Sequence, residues 1–234
     1  MILRTASPTT GPTDPFRIPW EWFVQLVLEI TIEAYQCMRR DGGIQRDWEE
    51  DTFTIRLTER YIQPLARRHP LNLIAMPRTK VHTTAMQTGN ISSKKAVEID
   101  IRLFSPWIDY NQVYFAWECK RLGDKRMDEK YAALIPEYIT EGIFRFIDGE
   151  YAAGLDDAGM LGYILAGDVT NIVGDIHESM CHPRRTRLLS ASNHLVLAPA
   201  VDTFNDVYQS SHKRTGSHKS IRLHHLFLTF DFER

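Results

Sequence analysis

The 234-residue sequence predicts a mixed α+β domain of the α/β kind, with a central mixed β-sheet between helices in three layers. The period of the apolar residues carries that expectation. Helical spacing opens the chain, gives way to alternation over residues 94–122, and returns after Gly123. The segment MLGYILA (160–166) is then almost wholly apolar, as a strand covered on both faces is. One domain over 17–234 follows a loose arm at 1–16 rich in Pro and Thr.

Between Pro19 and Arg40, the side chains Trp22, Phe23, Leu26, Val27, Ile30 and Tyr35 share one helical stripe, which Asp41-Gly42-Gly43 stops. A second helix opens at Asp47 and runs through Phe53, Leu57 and Tyr61 until Pro64 disturbs it. Leu71–Met76 and Lys80–Thr84 read as two short strand pieces. KKAVEIDIRLF (94–104) and QVYFAWECKRL (112–122) read as a strand pair, joined closely enough for a hairpin. Val97, Ile99, Ile101 and Leu103 fall on one face of the first strand, with Glu98, Asp100 and Arg102 on the other. Tyr131, Leu134, Ile135, Tyr138, Gly142 and Phe146 form the stripe of a further helix that Pro136 kinks. Asp168 suits an N-cap, and Val169, Ile172, Val173, Ile176 and Met180 suit the buried face behind it. Residues 194–201 and 221–230 complete the sheet on either side of a polar loop, QSSHKRTGSHKS, within a set of β additions at 190–234.

Composition narrows the function classes. Lys and Arg number 28 against 30 Asp and Glu, and 43% of residues are hydrophobic, the profile of a soluble globular protein. Cys37, Cys119 and Cys181 are odd in number and far apart, as reduced thiols of a cytoplasmic protein are. No stretch has the length of a signal peptide or a membrane helix, so a membrane partner is not expected. The charge is uneven, for residues 181–225 carry seven basic side chains against two acids and six of the nine histidines. Such segregation suits either a polyanion-binding face or a plain solvated surface.

The hairpin carries the chemistry. Along VYFAWECKRL, Glu118 and Lys120 leave the same face two residues apart, and the neighbouring strand sends out Asp100. Buried together, such charges cost several kcal/mol per ion unless they are paired or bind a metal. The plainer reading is an exposed Glu118–Lys120 ion pair on an edge strand.

Asp100 and, eighteen positions later, Glu118-Cys119-Lys120, in the order helix, β-meander, helix, buried strand, resemble the PD-(D/E)xK nuclease superfamily. The likeness spans residues 47–181, and Ile99 stands where the pattern's proline would be. The resemblance implies a restriction-endonuclease-like core and hydrolysis of phosphodiesters, DNA before RNA, leaving a 5′-phosphate. It implies Asp100 and Glu118 as oxygen ligands of Mg²⁺ or Mn²⁺ and Lys120 as a catalytic cation. It further implies a homodimer or a partner subunit, as in compact nuclease effectors of bacterial restriction and antiphage defence. A non-catalytic nucleic-acid or protein-binding subunit on the same scaffold is the alternative.

Glu50 has two readings. On a wheel at about 100° per residue it falls between Leu57 and Tyr61 on the apolar face, which the resemblance matches to a first-helix metal ligand and catalytic residue. Asp47-Trp48-Glu49-Glu50 is also close to a capping box. Lys130 and Glu137 suit either substrate contact or a solvated helix face. Arg184, Arg185, Arg187, His212, Lys213 and Arg214 are the candidates for phosphate-backbone contact. His177, Cys181 and His182 lack the CxxC company of a structural zinc site, and no GxxxxGK[ST] loop is present.

Overall fold

A computed structural model describes residues 19–82, 86, 88–90, 92, 94, 96–106, 113–182, 194–201, 203–230 and 232. The N-terminal arm and Arg184, Arg185 and Arg187 lie outside these residues. Helix α1 (Trp20–Asp41) buries Phe23, Leu26, Val27, Ile30 and Tyr35 and ends at Gly42, whose φ of 65° suits glycine. Trp22, in its first turn, stays 45% exposed beside the His69 ring rather than joining the stripe.

Helix α2 begins at Glu50, not Asp47. It runs as Glu50–Arg56, a π-helical turn Leu57–Ile62, and Gln63–Arg68. Helix α3 is likewise composite, with Glu129–Ala133 (3₁₀), Leu134–Glu137 (α), Tyr138–Ile143 (π) and Phe144–Ile147 (α). Pro64 and Pro136 lack the N–H that an unbroken α-helix would use, and each lies within a turn of a change in helical period. Helix α4 (Val169–Met180) starts as expected, with Asp168 Oδ1 accepting the Thr170 N–H at 2.8 Å.

Seven strands form one mixed sheet: β1 (Ile74–Val81), β2 (Val97–Phe104), β3 (Phe115–Leu122), β4 (Asp157–Ile164), β5 (Val196–Leu197), β6 (Val207–Lys213) and β7 (Ser220–Thr229). Their order is β1-β2-β3-β4-β7-β6-β5. β1, β2 and β3 form an antiparallel meander, and α3 carries the chain from β3 to a parallel β4. β7 joins β4 in parallel, and β6 returns against β7.

Alternate residues feed two cores. Phe115, Trp117 and Cys119 with Leu161 and Tyr163 pack against α1 and α2. Tyr114, Ala116 and Leu122 with Met160 and Ile164 pack against α3 and α4. The chain is therefore a mixed α+β domain with helices on both faces of its sheet. Every residue of β4 is buried, as the apolar run at 160–166 predicts. Gly142 of α3 faces β4 closely, and a Cβ there would push on the Met160 methyl, 2.4 Å away.

Three expectations need correction. The two strand pieces at 71–84 are one strand, β1, and Pro77 is tolerated within it because β1 is a sheet edge. Val97, Ile99, Ile101 and Leu103 do not share a face: Ile101 and Leu103 join the α1/α2 core, whereas Ile99 joins the other. The ladder between β1 and β2 skips the Arg78–Asp100 pair between them, and Arg78 has φ 51°. Finally, QSSHK is strand β6 rather than loop. Ser210 and His212 turn inward and continue a buried chain: Tyr138 Oη to His225 Nδ1 2.7 Å, His225 Nε2 to Ser210 Oγ 2.8 Å, and Ser210 Oγ to His212 Nε2 2.7 Å. Burial pushes the His212 imidazole down to about 4, so it is neutral at pH 7.

At the start of β4, buried Asp157 ties α1 to the sheet. It accepts from Trp20 Nε1 (2.8 Å), His224 Nε2 (2.8 Å) and Arg222 Nε (2.5 Å). Burial alone would raise its pKa, but the donors His224, Arg222 and Trp20 bring it down from 3.8 to about 2. A depressed carboxyl contributes stability that is complete above the unfolded value and is lost as pH falls through the folded one. Asp157→Asn should lower unfolding stability by about 2 kcal/mol at pH 7. In urea titrations its deficit should shrink steadily from pH 5 toward pH 2; a deficit independent of pH would refute the assignment.

Candidate functional site

The site arises where the sheet forks. β2 and β3 pair over three residues only, Ile101↔Trp117, Arg102↔Ala116 and Leu103↔Phe115. Beyond Ile101, β2 stays with β1 through Thr79↔Ile99 and Lys80↔Glu98. Beyond Trp117, β3 stays with β4 from Glu118↔Met160 to Leu122↔Ile164. The Cys119 N–H donates to Asp100 Oδ2 at 2.7 Å, so a side chain takes the donor that a closed ladder would have used.

Glu118 is 1% exposed. Its Oε1 lies 2.9 Å from Lys120 Nζ and 3.7 Å from an Arg145 terminal nitrogen, while its buried Oε2 has no hydrogen-bond partner. Lys120 Nζ donates to Glu50 Oε1 at 2.9 Å and to the Cys119 carbonyl at 2.8 Å. Glu50 Oε2 accepts the Arg121 N–H at 3.2 Å. Asp100, Glu118 and Lys120 thus come together, Glu50 joins them from α2, and the Glu118–Lys120 pair is buried rather than exposed on an edge.

The electrostatics follow from that packing. Burial, then the charge of Asp100, raises the Glu118 carboxyl from 4.5 to about 8. Burial also raises Asp100, opposed by Lys120 and by the Cys119 N–H. For Lys120, burial favours the neutral amine, but Glu118, Glu50 and Asp100 outweigh it and hold the ammonium above its usual range.

Glu50 does not complete a capping box. It is the first residue of α2, the Glu49 side chain at the cap position makes no capping hydrogen bond, and both Glu50 oxygens serve Lys120 and Arg121. Arg121 also donates to the Trp48 carbonyl at 3.2 Å, fixing the approach to α2.

Sequence reasoning missed three cations. Arg145 reaches Glu118 from α3 and donates to Tyr151 Oη at 2.5 Å and Glu141 Oε2 at 2.9 Å. It lies seven residues after Tyr138, about 20° away on the regular α-helix that the sequence predicts, although the π-helical turn Tyr138–Ile143 departs from that wheel. Arg78 pairs with Asp51 and, at 2.5 Å, with Glu98 beside Asp100. Arg121 follows Lys120 directly.

Two proposed phosphate contacts are instead structural. His212 is 1% exposed. Arg214 is buried and donates to the carbonyls of Phe146 (2.8 Å), Ala152 (2.7 Å) and Leu155 (2.8 Å), leaving no open guanidinium face. Lys213 is exposed at the end of β6. Lys130 is exposed and pairs with Asp128 at 3.0 Å, and Glu137 is exposed on α3. His177 Nε2 accepts the Leu195 N–H at 3.0 Å, and Cys181 Sγ lies 3.5 Å from His194 Nε2.

Among the described residues, no group of three or more His, Cys, Asp or Glu is arranged to hold a metal ion. The donor set that fits one is the pair Asp100 and Glu118. Both are oxygen ligands, burial raises both carboxyls even with the Lys120 ammonium beside them, and one Glu118 oxygen is buried without a partner. Two carboxylates suit Mg²⁺, which keeps several waters and adds substrate phosphates.

No family model, curated protein or solved structure matches the chain. Among the described residues, no helix is long and apolar enough to cross a membrane.

Lys120→Met should destabilise the fold by about 3–5 kcal/mol, because it strips buried carboxylates of their shared cation. Glu118→Gln should act in the opposite sense. The folded pKa is raised, so ionising Glu118 carries no penalty below about pH 4.5 and a complete one above about pH 8. In chelator, urea midpoints of Glu118→Gln should exceed wild type at pH 9 and approach it at pH 4.5. Equal midpoints at pH 9 would contradict the buried charge.

Proposed function

We propose that the chain is a metal-dependent nuclease of the restriction-endonuclease-like class, hydrolysing DNA phosphodiesters with Mg²⁺ or Mn²⁺. The convergence of Asp100, Glu118 and Lys120 at the β2/β3 fork, with a buried Glu118 oxygen unpartnered, carries this reading. The antiparallel meander followed by a helical crossover to a parallel strand supports the fold class.

Asp100 and Glu118 would hold the ion. A bound divalent ion supplies Lewis-acid polarisation of the scissile phosphate and makes water more acidic. Lys120 remains cationic and offers its ammonium to a phosphate oxygen or to the attacking water. Glu50 keeps that ammonium at the fork, and Arg145 adds positive charge behind Glu118. A homodimer or a partner subunit would supply target recognition, the arrangement of a bacterial restriction or antiphage effector.

The saturation of Lys120 favours a second reading, a non-catalytic binding subunit. Glu50, Glu118 and the Cys119 carbonyl already surround its nitrogen.

One assay separates the two. Linear, supercoiled and single-stranded DNA and RNA are incubated with the protein in Mg²⁺, Mn²⁺ or chelator. The nuclease cuts DNA only with the ion, and Glu118→Gln lowers the rate by at least about 10²-fold. Glu118→Gln is the informative variant because loss of Lys120 also unbalances the fold. Undiminished cutting by Glu118→Gln would overturn the mechanism. Binding without cutting under every condition would favour the second reading.

A further inference from the structure

Beside the fork lies a cleft of about 360 Å³ lined by Arg46, Asp47, Arg121, Lys130, Tyr131, Leu134 and Leu165. Its size falls in the range of small-ligand sites. Its lining combines three cations and one acid with an apolar floor of Tyr131, Leu134 and Leu165. The Arg46 guanidinium lies 5.6 Å, and Lys130 Nζ 5.0 Å, from the centre of the Tyr131 ring. Two like charges thus gather on one neutral ring, with Lys130 also paired to Asp128.

The cleft adjoins the candidate catalytic residues. Arg121 lines it, and the Arg121 N–H is held by the Glu50 carboxylate that also holds Lys120. Asp47 lines it three residues before Glu50. A ligand here that reaches the fork needs an anionic group for the cations and an apolar body for the floor. A nucleotide unit has both.

We propose that this cleft is the subsite for the phosphate and sugar-base of the nucleotide adjoining the cleaved bond. The assignment rests on the nuclease reading for its place along the strand, and on the cleft alone for its ligand chemistry. Arg46 and Lys130 grip the phosphate, and Tyr131, Leu134 and Leu165 carry the apolar part.

Calorimetric titration in chelator tests this without any cleavage, with thymidine 5′-monophosphate and thymidine as probes. Wild type should bind the monophosphate at least about tenfold more tightly than thymidine. Arg46→Ala/Lys130→Ala should lose at least about tenfold in affinity for the monophosphate. Both replaced side chains are exposed, and circular dichroism checks that the variant keeps its fold. Thymidine bound as tightly as its monophosphate, or monophosphate affinity unchanged in the double variant, overturns the subsite. A protein that cuts DNA yet gives either result keeps the nuclease reading and loses this one. A protein that cuts nothing yet binds the monophosphate as described keeps the subsite and loses the nuclease.

Discussion

One ammonium among carboxylates is the constraint on which the centre of this protein depends. Lys120 stands between the Glu118 and Glu50 carboxyl groups, and Asp100 adds a third acid to its surroundings. Buried acids brought together in this way repel one another, and each is costly to take out of water. The fold tolerates them because the fork needs little rearrangement. β2 keeps β1 and β3 keeps β4 while the inner ladder stops, and Asp100 satisfies the Cys119 N–H. Strand pairing at the fork is thus given up where a polar cluster takes its place.

The other buried polar groups work differently. Asp157 is surrounded by donors and ionises readily, whereas Glu118 lacks enough of them and resists ionisation. The two acids lie three positions apart along the parallel strands β3 and β4, since Asp157 begins β4 and Glu118 pairs with Met160. Charge at the start of β4 is neutralised and fastens α1. At the fork it is left incompletely compensated, the condition under which an incoming cation is stabilised most.

Much of this was legible in the sequence where periodicity governs. α1, α4, the hairpin and the buried strand at 160–164 appear near their expected places because apolar spacing encodes burial directly. Alternation likewise put Glu118 and Lys120 together. Legibility failed where the determining contact is distant. Glu50 meets Lys120 across 70 positions, and nothing in Asp47-Trp48-Glu49-Glu50 distinguishes that partner from a cap. His212 and Arg214 look like surface residues because their compensating acceptors, Ser210 and three backbone carbonyls, are revealed only by packing. Ile99 changes sides because the ladder is interrupted at Arg78, and a regular alternation cannot anticipate such a break.

The short β2/β3 ladder also has a mechanical side. Two strands hang on the remaining five through three residue pairs, the shortest join in the sheet apart from that of the two-residue β5. The seam is bridged from one side, because α2 packs against β1, β2 and β3 together. Ile101 and Leu103 on one side of the seam and Phe115 and Trp117 on the other enter the same hydrophobic layer, so side-chain packing carries the continuity that the short ladder does not.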